Sequence, residues 1–258
     1  MNLLEKILHH KRKEVEERKK RRGSKIYEQR ALFPVRDFAS ALGKSEKLSI
    51  IAELKPASPL KGKLRENFNP EELALSLEKA GASAISVLTE EKFFEGSLDF
   101  LRRVKQVCKV PVLRKDFIID EFQIHESKLN GADAVLLISS ILSEKELSLL
   151  ISTCKKLGLQ CLVEVHSEHD IEKTLSAGAE IIGINNRDLK TLRVNLNHSL
   201  QLIKLIPPQI ITVSESGIKE KKDLLILKKF GFDAVLIGES LMKHPHPEIA
   251  LKSFLEAI

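Results

Sequence analysis

The sequence predicts a closed (βα)8 barrel of the α/β class, preceded by an N-terminal helical extension, and three observations carry that reading. First, one pattern recurs four times. Ala80-Gly81-Ala82-Ser83 precedes the apolar run Ala84–Leu88, and Asn130-Gly131-Ala132-Asp133 precedes Ala134–Ile138. Ala177-Gly178-Ala179-Glu180 precedes Ile181–Asn185, and Phe230-Gly231-Phe232-Asp233 precedes Ala234–Gly238. Each reads as a helix stopped at glycine, a short link and a buried parallel strand. Second, these glycines are 50, 47 and 53 residues apart. A βα unit takes roughly 25 residues in a barrel of eight, so each interval holds two units. Third, apolar runs stand midway, at Val110–Lys115, Gln160–Val165 and Gln209–Ser214; with Ser49–Leu54 they complete eight strands. An open doubly wound sheet is the competitor. Near-equal units and the lack of a G-x-G-x-x-G after the first strand favour the closed barrel.

Taken in order, the chain opens with a helix from Asn2 to about Lys20, a polar link and a short helix near Val35–Leu42. Residues 1–48 are therefore expected to form an extension packed on a barrel of residues 49–258, one domain overall. The apolar strand Ser49–Leu54 runs into Lys55-Pro56-Ala57-Ser58-Pro59-Leu60-Lys61-Gly62, whose Ser-Pro turn and glycine open a loop. Asn69-Pro70 is an N-cap followed by proline at the first helical position. Ser143 and Glu146 have capping-box spacing ahead of Leu147, Leu150, Ile151 and Cys154.

Composition narrows the function classes. The 258 residues carry 42 Lys and Arg against 36 Asp and Glu, a net charge of +6, which suits an anionic small substrate as well as it suits nucleic acid. Lys11-Arg12-Lys13 and Arg18-Lys19-Lys20-Arg21-Arg22 hold much of the excess. They read as a nucleic-acid contact or as a solvated helix face; the stripe Leu3, Leu4, Ile7, Leu8 and the interrupting Glu14, Glu16 and Glu17 favour the solvated face. There is no Trp, and the eleven Phe do not interleave with basic residues, so no stacking platform is expected. No apolar run reaches the ~18–20 residues of a membrane span, and the N-terminus lacks a signal-peptide core. Cys108, Cys154 and Cys161 are an odd set without metal-ligand spacing, as for reduced thiols in a cytoplasmic protein. His166 with His169 and His244 with His246 lack a third ligand placed by the pattern and read as surface histidines, so no metal site is expected.

The chemistry collects at the predicted strand ends. Active sites of such barrels form at the C-terminal ends of the strands. Those positions are Glu53 and Lys55 on strand one, Lys115 on three, Glu164 on five, and Asn185 on six, followed by Asn186 and Arg187. Ser214-Glu215-Ser216-Gly217 ends strand seven and Gly238-Glu239-Ser240 ends strand eight. Period-two geometry puts Glu53 and Lys55 on one strand face. Each charge alone could be a structural ion pair. Two acids and two lysines in one partly dry mouth can hold separated pKa values, as acid–base catalysis requires. The glycines after strands seven and eight are placed to let backbone amides receive a phosphate. Phe93, Phe94 and Phe117 follow strands two and three as rim packing or as an aromatic pocket wall.

These residues match a family. Ile51–Pro59, Leu88-Thr89-Glu90 with Phe93–Ser97, Leu113–Ile118, Leu162–Val165, Gly183–Leu189, Ser214–Ile218 and Leu236–Met242 closely resemble, in order across all eight units, indole-3-glycerol-phosphate synthase. The resemblance implies a carboxy-lyase of tryptophan biosynthesis. It would close 1-(2-carboxyphenylamino)-1-deoxyribulose 5-phosphate to indole-3-glycerol phosphate with loss of carbon dioxide and water, without metal or organic cofactor. Carried over by position, Lys115 would be the general acid and Glu164 the base or acid of the dehydration. Glu53 would orient the substrate and the lysines. Asn185 would hydrogen-bond in the same pocket, and Lys55 would serve the phosphate and carboxylate. Ser58 would line the first loop, with Leu60 standing where many relatives carry a small hydroxyl residue. Ser216, Gly217, Gly238 and Glu239 would cradle the phosphate, Phe94, Phe117, Leu136 and Leu189 would wall the anthranilate ring, and Arg187 and Glu215 would join the substrate site. The expected partner is this small phosphorylated molecule, with no nucleic acid or membrane, and the expected state a monomer or weak homodimer. Phosphoribosylanthranilate isomerase, another phosphate-binding barrel, typically needs a Cys/Asp pair, and no Cys stands at a predicted strand end.

Overall fold

The computed structural model describes residues 2–43, 47–188 and 191–258. Eight parallel strands close into a barrel: β1 (Ser49–Leu54), β2 (Ala84–Leu88), β3 (Val112–Lys115), β4 (Ala134–Ile138), β5 (Gln160–Val165), β6 (Ile181–Asn185), β7 (Ile211–Glu215) and β8 (Ala234–Ile237), with β8 pairing back onto β1. Three strands depart from the predicted limits, β8 by ending at Ile237 and not Gly238. β3 starts at Val112 because Pro111 has no N–H for the ladder. β7 starts two residues later than expected, at Ile211, and runs one residue further, to Glu215, whose partner in the ladder is Asn185 of β6. A small hairpin in the first loop, Ala57–Ser58 against Gly62–Lys63, was not predicted. Its turn needs Gly62 at φ +63°, a conformation open to glycine without strain.

Period two sorts the strand side chains. One set faces the surrounding helices, as Ile50, Ala52, Val135, Val163 and Val235 do, in the larger core. The other set fills the barrel: Ile51, Leu113, Leu162 and Val213 from the odd strands, and Ala84, Ala134, Ile181 and Ala234 from the even ones. Two residues further along the odd strands the inward positions are Glu53, Lys115, Glu164 and Glu215. The charged residues are thus one complete layer of the barrel, laid on an apolar floor.

The N-terminal segment embraces both ends of the barrel. Helix α1 (Leu3–Arg22) begins with a reciprocal capping box between Asn2 and Glu5 and lies at the mouth, where Leu3, Leu4 and Ile7 reach the cavity rim. Helix α2 (Phe38–Leu42) starts at Asp37, whose side chain accepts from Ser40 N, so it is shorter than the expected Val35–Leu42. Phe38 and Leu42 are fully buried against the barrel interior, closing its far end. Gln160 of β5 fixes this plug by accepting from the main-chain N–H groups of Phe38 and Ala39.

The solvated-face reading of the basic helix needs correction at Lys11 and Arg18. Lys11 is 1% exposed, with Nζ 2.9 Å from Asp116 Oδ1 and 3.0 Å from Glu14. Arg18 reaches Glu14, Glu91 and Glu126 at 2.7, 2.8 and 3.2 Å. Asp116 in turn accepts from Arg114 at 3.0 Å and from Thr89 Oγ1 at 2.6 Å. Burial works to raise the Asp116 carboxyl, but Lys11 and Arg114 outweigh it and hold it far below the carboxylate range. Lys11 and Arg18 are thus spent on Glu14 of their own helix and on acids past β2 and β3, while Arg12, Lys13, Lys20, Arg21 and Arg22 are exposed, as the solvated-face reading expects. Lys11→Met is expected to keep the far-UV circular dichroism and to lower the unfolding free energy by about 3 kcal/mol in urea melts, because it strands one partner of a buried pair. A change within experimental error would show that Arg114 and Thr89 satisfy Asp116 alone.

Candidate active site

The layer of odd-strand charges opens into a cavity of about 170 Å³ at the C-terminal end of the barrel. Lys115 stands at its centre, with Nζ 3.4 Å from Glu164 Oε2 and 3.5 Å from Glu215 Oε2. Glu53, on β1, holds Lys55 at 2.5 Å and adds its field to Lys115. All three carboxylates are buried. Desolvation would discharge Lys115, yet Glu164, Glu215 and Glu53 together outweigh it and raise its pKa, so the ammonium stays charged.

The acids divide. Burial pushes Glu164 up, but Lys115, His166 and a hydrogen bond from Asn185 outweigh it and hold the carboxyl below its ordinary value. Glu53 is likewise held down against burial by Lys55 and Lys115. Glu215 goes the other way: burial first, then the negative fields of Glu164 and Glu53, raise it to about 8 despite Lys115. One lysine shared by close acids leaves two ionised and one protonated at neutral pH.

Two glycines make room for this layer. A Cβ on Gly183 would run into the Glu215 carboxylate, and one on Gly238 would run into that of Glu53. Asn186 secures the end of β7, donating from Nδ2 to Ser214 Oγ, Glu215 O and Ser216 O at 3.0, 3.0 and 3.1 Å. Ser216 then turns at φ +65°, in the left-handed region that non-glycine residues seldom enter, and Gly217 follows at φ +86°. Ser240 Oγ donates to Ile218 O at 2.7 Å and ties the loop after β8 to this turn.

Of the residues expected at the site, Glu53, Lys55, Phe94, Lys115, Phe117, Leu136, Glu164, Asn185, Arg187, Glu215, Ser216, Gly217, Gly238 and Glu239 all line the cavity. Phe94 and Phe117 face each other at 6.3 Å between ring centroids, as a pocket wall. Phe93 packs instead on His10 at 6.1 Å. Ser58 stands off, in an adjoining apolar recess with Leu3, Leu4, Ile7 and Leu60. Leu189 lies outside the described residues. His169, His244 and His246 are exposed as expected, but His166 corrects the surface reading: its Nε2 is 3.5 Å from Glu164 Oε1. Its place one residue past the end of β5 was the available signal. Among the described residues one histidine–carboxylate group has metal-like spacing, His10, Glu14 and Glu90. It is already committed, Glu14 to Lys11 and Arg18, and Glu90 to capping the main-chain N–H groups of Lys92, Phe93 and Phe94.

The Glu215 shift has a stability consequence whose sign follows from linkage. Its folded value, about 8, lies above the ordinary 4.5, so between those values the folded state holds a proton the unfolded state has lost. Stability from this group is greatest below pH ~4.5 and falls as pH rises to ~8. Glu215→Gln is expected to remove that slope, gaining stability over the parent at pH 9 compared with pH 5 in urea unfolding. Parallel pH dependences for the two proteins would place the Glu215 proton elsewhere.

Comparison with known proteins agrees with this geometry. The indole-3-glycerol phosphate synthase family model matches residues 4–254. The indole-3-glycerol phosphate synthase of Acetivibrio thermocellus is 52% identical over 207 residues, 80% of either chain. That of Caldanaerobacter subterraneus subsp. tengcongensis is 48% identical over 257 residues, covering 99% of this chain and 98% of its own. Among solved structures, 3-hexulose-6-phosphate synthase from Salmonella typhimurium superposes with a TM-score of 0.66 at 14% identity, over 81% of this chain and 98% of that one. Thiamine phosphate pyrophosphorylase from Pyrococcus furiosus gives 0.60 at 17% identity, over 82% and 94%. At such identities these two speak for the barrel alone. The length of the family match, and the near-complete coverage of relatives close to half identical, settle the lineage: the chain belongs to the indole-3-glycerol phosphate synthase family.

Proposed function

We propose that this barrel mouth closes 1-(2-carboxyphenylamino)-1-deoxyribulose 5-phosphate to indole-3-glycerol phosphate, losing carbon dioxide and water, as a carboxy-lyase of tryptophan biosynthesis. The observation that carries the assignment of roles is the charged Lys115 between Glu164 and Glu215 at 3.4 and 3.5 Å. An ammonium held charged in a partly dry cavity stabilises oxyanion charge where the aromatic ring attacks the substrate carbonyl, and it donates the proton that makes the hydroxyl. Glu164, kept ionised, is suited to take the C–H proton in the later dehydration. Glu215, protonated near neutrality, is suited to give a proton to the departing hydroxyl. Glu53 positions Lys55, and Asn185 steadies Glu164.

The rest of the substrate has matching surfaces. Phe94, Phe117 and Leu136 offer an apolar wall for the anthranilate ring. The main chain at Ser216-Gly217 and Gly238-Glu239 lies after β7 and β8, where barrels of this kind receive phosphate. Lys55 and Arg187 supply cationic character there. Residues 1–48 serve as an extension that folds with the barrel of residues 49–258 as one domain. The protein works in the cytoplasm, as a monomer or weak homodimer, without metal or organic cofactor. No helix among the described residues is long and apolar enough to cross a membrane.

Fluorescence detection of the indole product is expected to register turnover in metal-free buffer containing EDTA. Lys115→Ala and Glu164→Gln are each expected to cut that turnover by ~100-fold or more while circular dichroism stays unchanged. Near-normal turnover in both variants would overturn the assigned roles.

A further inference from the structure

An ion pair spans the turn after β7. Arg187 follows β6, Ser216-Gly217 follow β7 and Glu239 follows β8, and these three strands are neighbours in the barrel. Arg187 Nη2 stands 3.8 Å from Glu239 Oε2, so the pair reaches from the loop after β6 to the loop after β8, past the turn that lies between them. All four residues line the catalytic cavity. Each end of the pair has a second hold. Arg187 Nη1 donates to Leu192 O at 3.2 Å, and its main-chain N–H donates to Asn185 Oδ1 at 3.0 Å. Glu239 Oε1 accepts from Lys243 Nζ at 2.6 Å, from just past the short helix Glu239–Met242.

The charge on Glu239 is the unexpected feature. Burial works to raise its carboxyl, but Lys243, Lys55 and Arg187 outweigh it and hold it below the ordinary value, so the group is ionised. A carboxylate on the wall of a site for a phosphorylated substrate repels what the site has to bind. The Arg187 and Glu239 side chains are 29% and 34% exposed, so an anion from solvent reaches the pair, and a pair this exposed is opened at small cost.

We propose that the Glu239 carboxylate holds Arg187 where the substrate phosphate will take it over, and that phosphate displaces the carboxylate on binding, which makes Glu239 a specificity-determining residue. The proposal rests on the phosphate reading given above. In the exchange the guanidinium trades one oxyanion partner for another, and Glu239 keeps Lys243. A guanidinium fork fits carboxylate and phosphate alike. A singly charged anion therefore gains little over the carboxylate it replaces, whereas a phosphate dianion gains the second charge. The device selects for the dianion, and it also limits how firmly phosphate is held. The phosphate group is the same in substrate and product, so contacts to it are uniform binding: they lower KM without lowering the barrier, and they hold the product as firmly as the substrate. A carboxylate that competes for Arg187 takes away part of that shared affinity and eases departure of the product.

The test is titration calorimetry with inorganic phosphate on the parent, Glu239→Gln, Arg187→Gln and the double variant. Glu239→Gln keeps the size of the side chain and the main-chain N–H groups of the turn. It is expected to lower the Kd for phosphate by about fivefold, the size of one exposed ion pair. KM is expected to fall with it while kcat does not rise, the split that marks a contact shared by substrate and product. In the Arg187→Gln background the same change is expected to move Kd by less than about twofold, because no guanidinium is left to free. Weaker or unchanged phosphate binding in Glu239→Gln overturns the proposal. So does a full gain that persists without Arg187, which would be plain repulsion by the carboxylate. Phosphate binding is read without turnover, so the exchange stands or fails on the Kd values, whereas the reaction proposed above fails on the absence of indole product from the parent protein.

Discussion

One ammonium group held among three carboxylates is the constraint on which the mouth of this barrel depends. Lys115 alone, at its depth, would favour losing its charge; Glu164 alone would favour gaining a proton. Each ionised partner corrects the other, and neither could be removed without leaving an uncompensated charge in a dry place. The third acid is the interesting one. With two lysines and three carboxylates, full ionisation would leave the layer with net negative charge. The raised pKa of Glu215 removes that excess by keeping a proton, so the same crowding that holds Lys115 charged also creates a second proton donor beside it.

The barrel supplies that crowding by its own regularity. Inward residues on alternate strands form layers, so an acid or lysine two residues beyond an apolar core position lands at the same height on each odd strand. Ile51 and Glu53, Leu113 and Lys115, Leu162 and Glu164, Val213 and Glu215 are four instances of one spacing. Small residues on the even strands complete the fit, since Gly183 and Gly238 leave space for the Glu215 and Glu53 side chains. Outside the layer, Asp116 follows Lys115 directly. Its ties to Lys11 of α1, Arg114 and Thr89 fix the chain where Lys115 ends its strand and where Phe117 begins the pocket wall.

How far this was legible in the sequence depends on the range of the interaction. The barrel could be read because its signals are local and repeated: a glycine stop, a short link, an apolar run. Most site residues could be read because strand ends converge in a barrel whatever the details. Reading failed where a side chain's partner is distant in the chain. Lys11 sits in a basic run that resembles solvated surface, and its partner Asp116 is more than a hundred residues away. His166 looked like one of a pair with His169, although the strand end beside it, not its helical spacing, decides its neighbour. Gly238 read as a phosphate contact, and its second reason, clearance for Glu53, needs the closure of β8 onto β1 to be seen. The apolar–x–charged spacing on all four odd strands was a visible signal that would have grouped Glu215 with the catalytic layer from the start.

The distribution of charge also bears on the order of events at the mouth. An anionic substrate entering a layer with three ionised acids would meet repulsion where its carboxylate must lie near the reacting carbon. With Glu215 neutral, Lys115 and Lys55 balance Glu53 and Glu164, and the substrate meets a nearly neutral layer flanked by Arg187 and the main chain of the phosphate turn. On the roles proposed above, loss of carbon dioxide removes a negative charge from this dry space after Lys115 has given up its proton. The site thereby loses a cation and an anion together, which keeps its charge close to constant through the reaction.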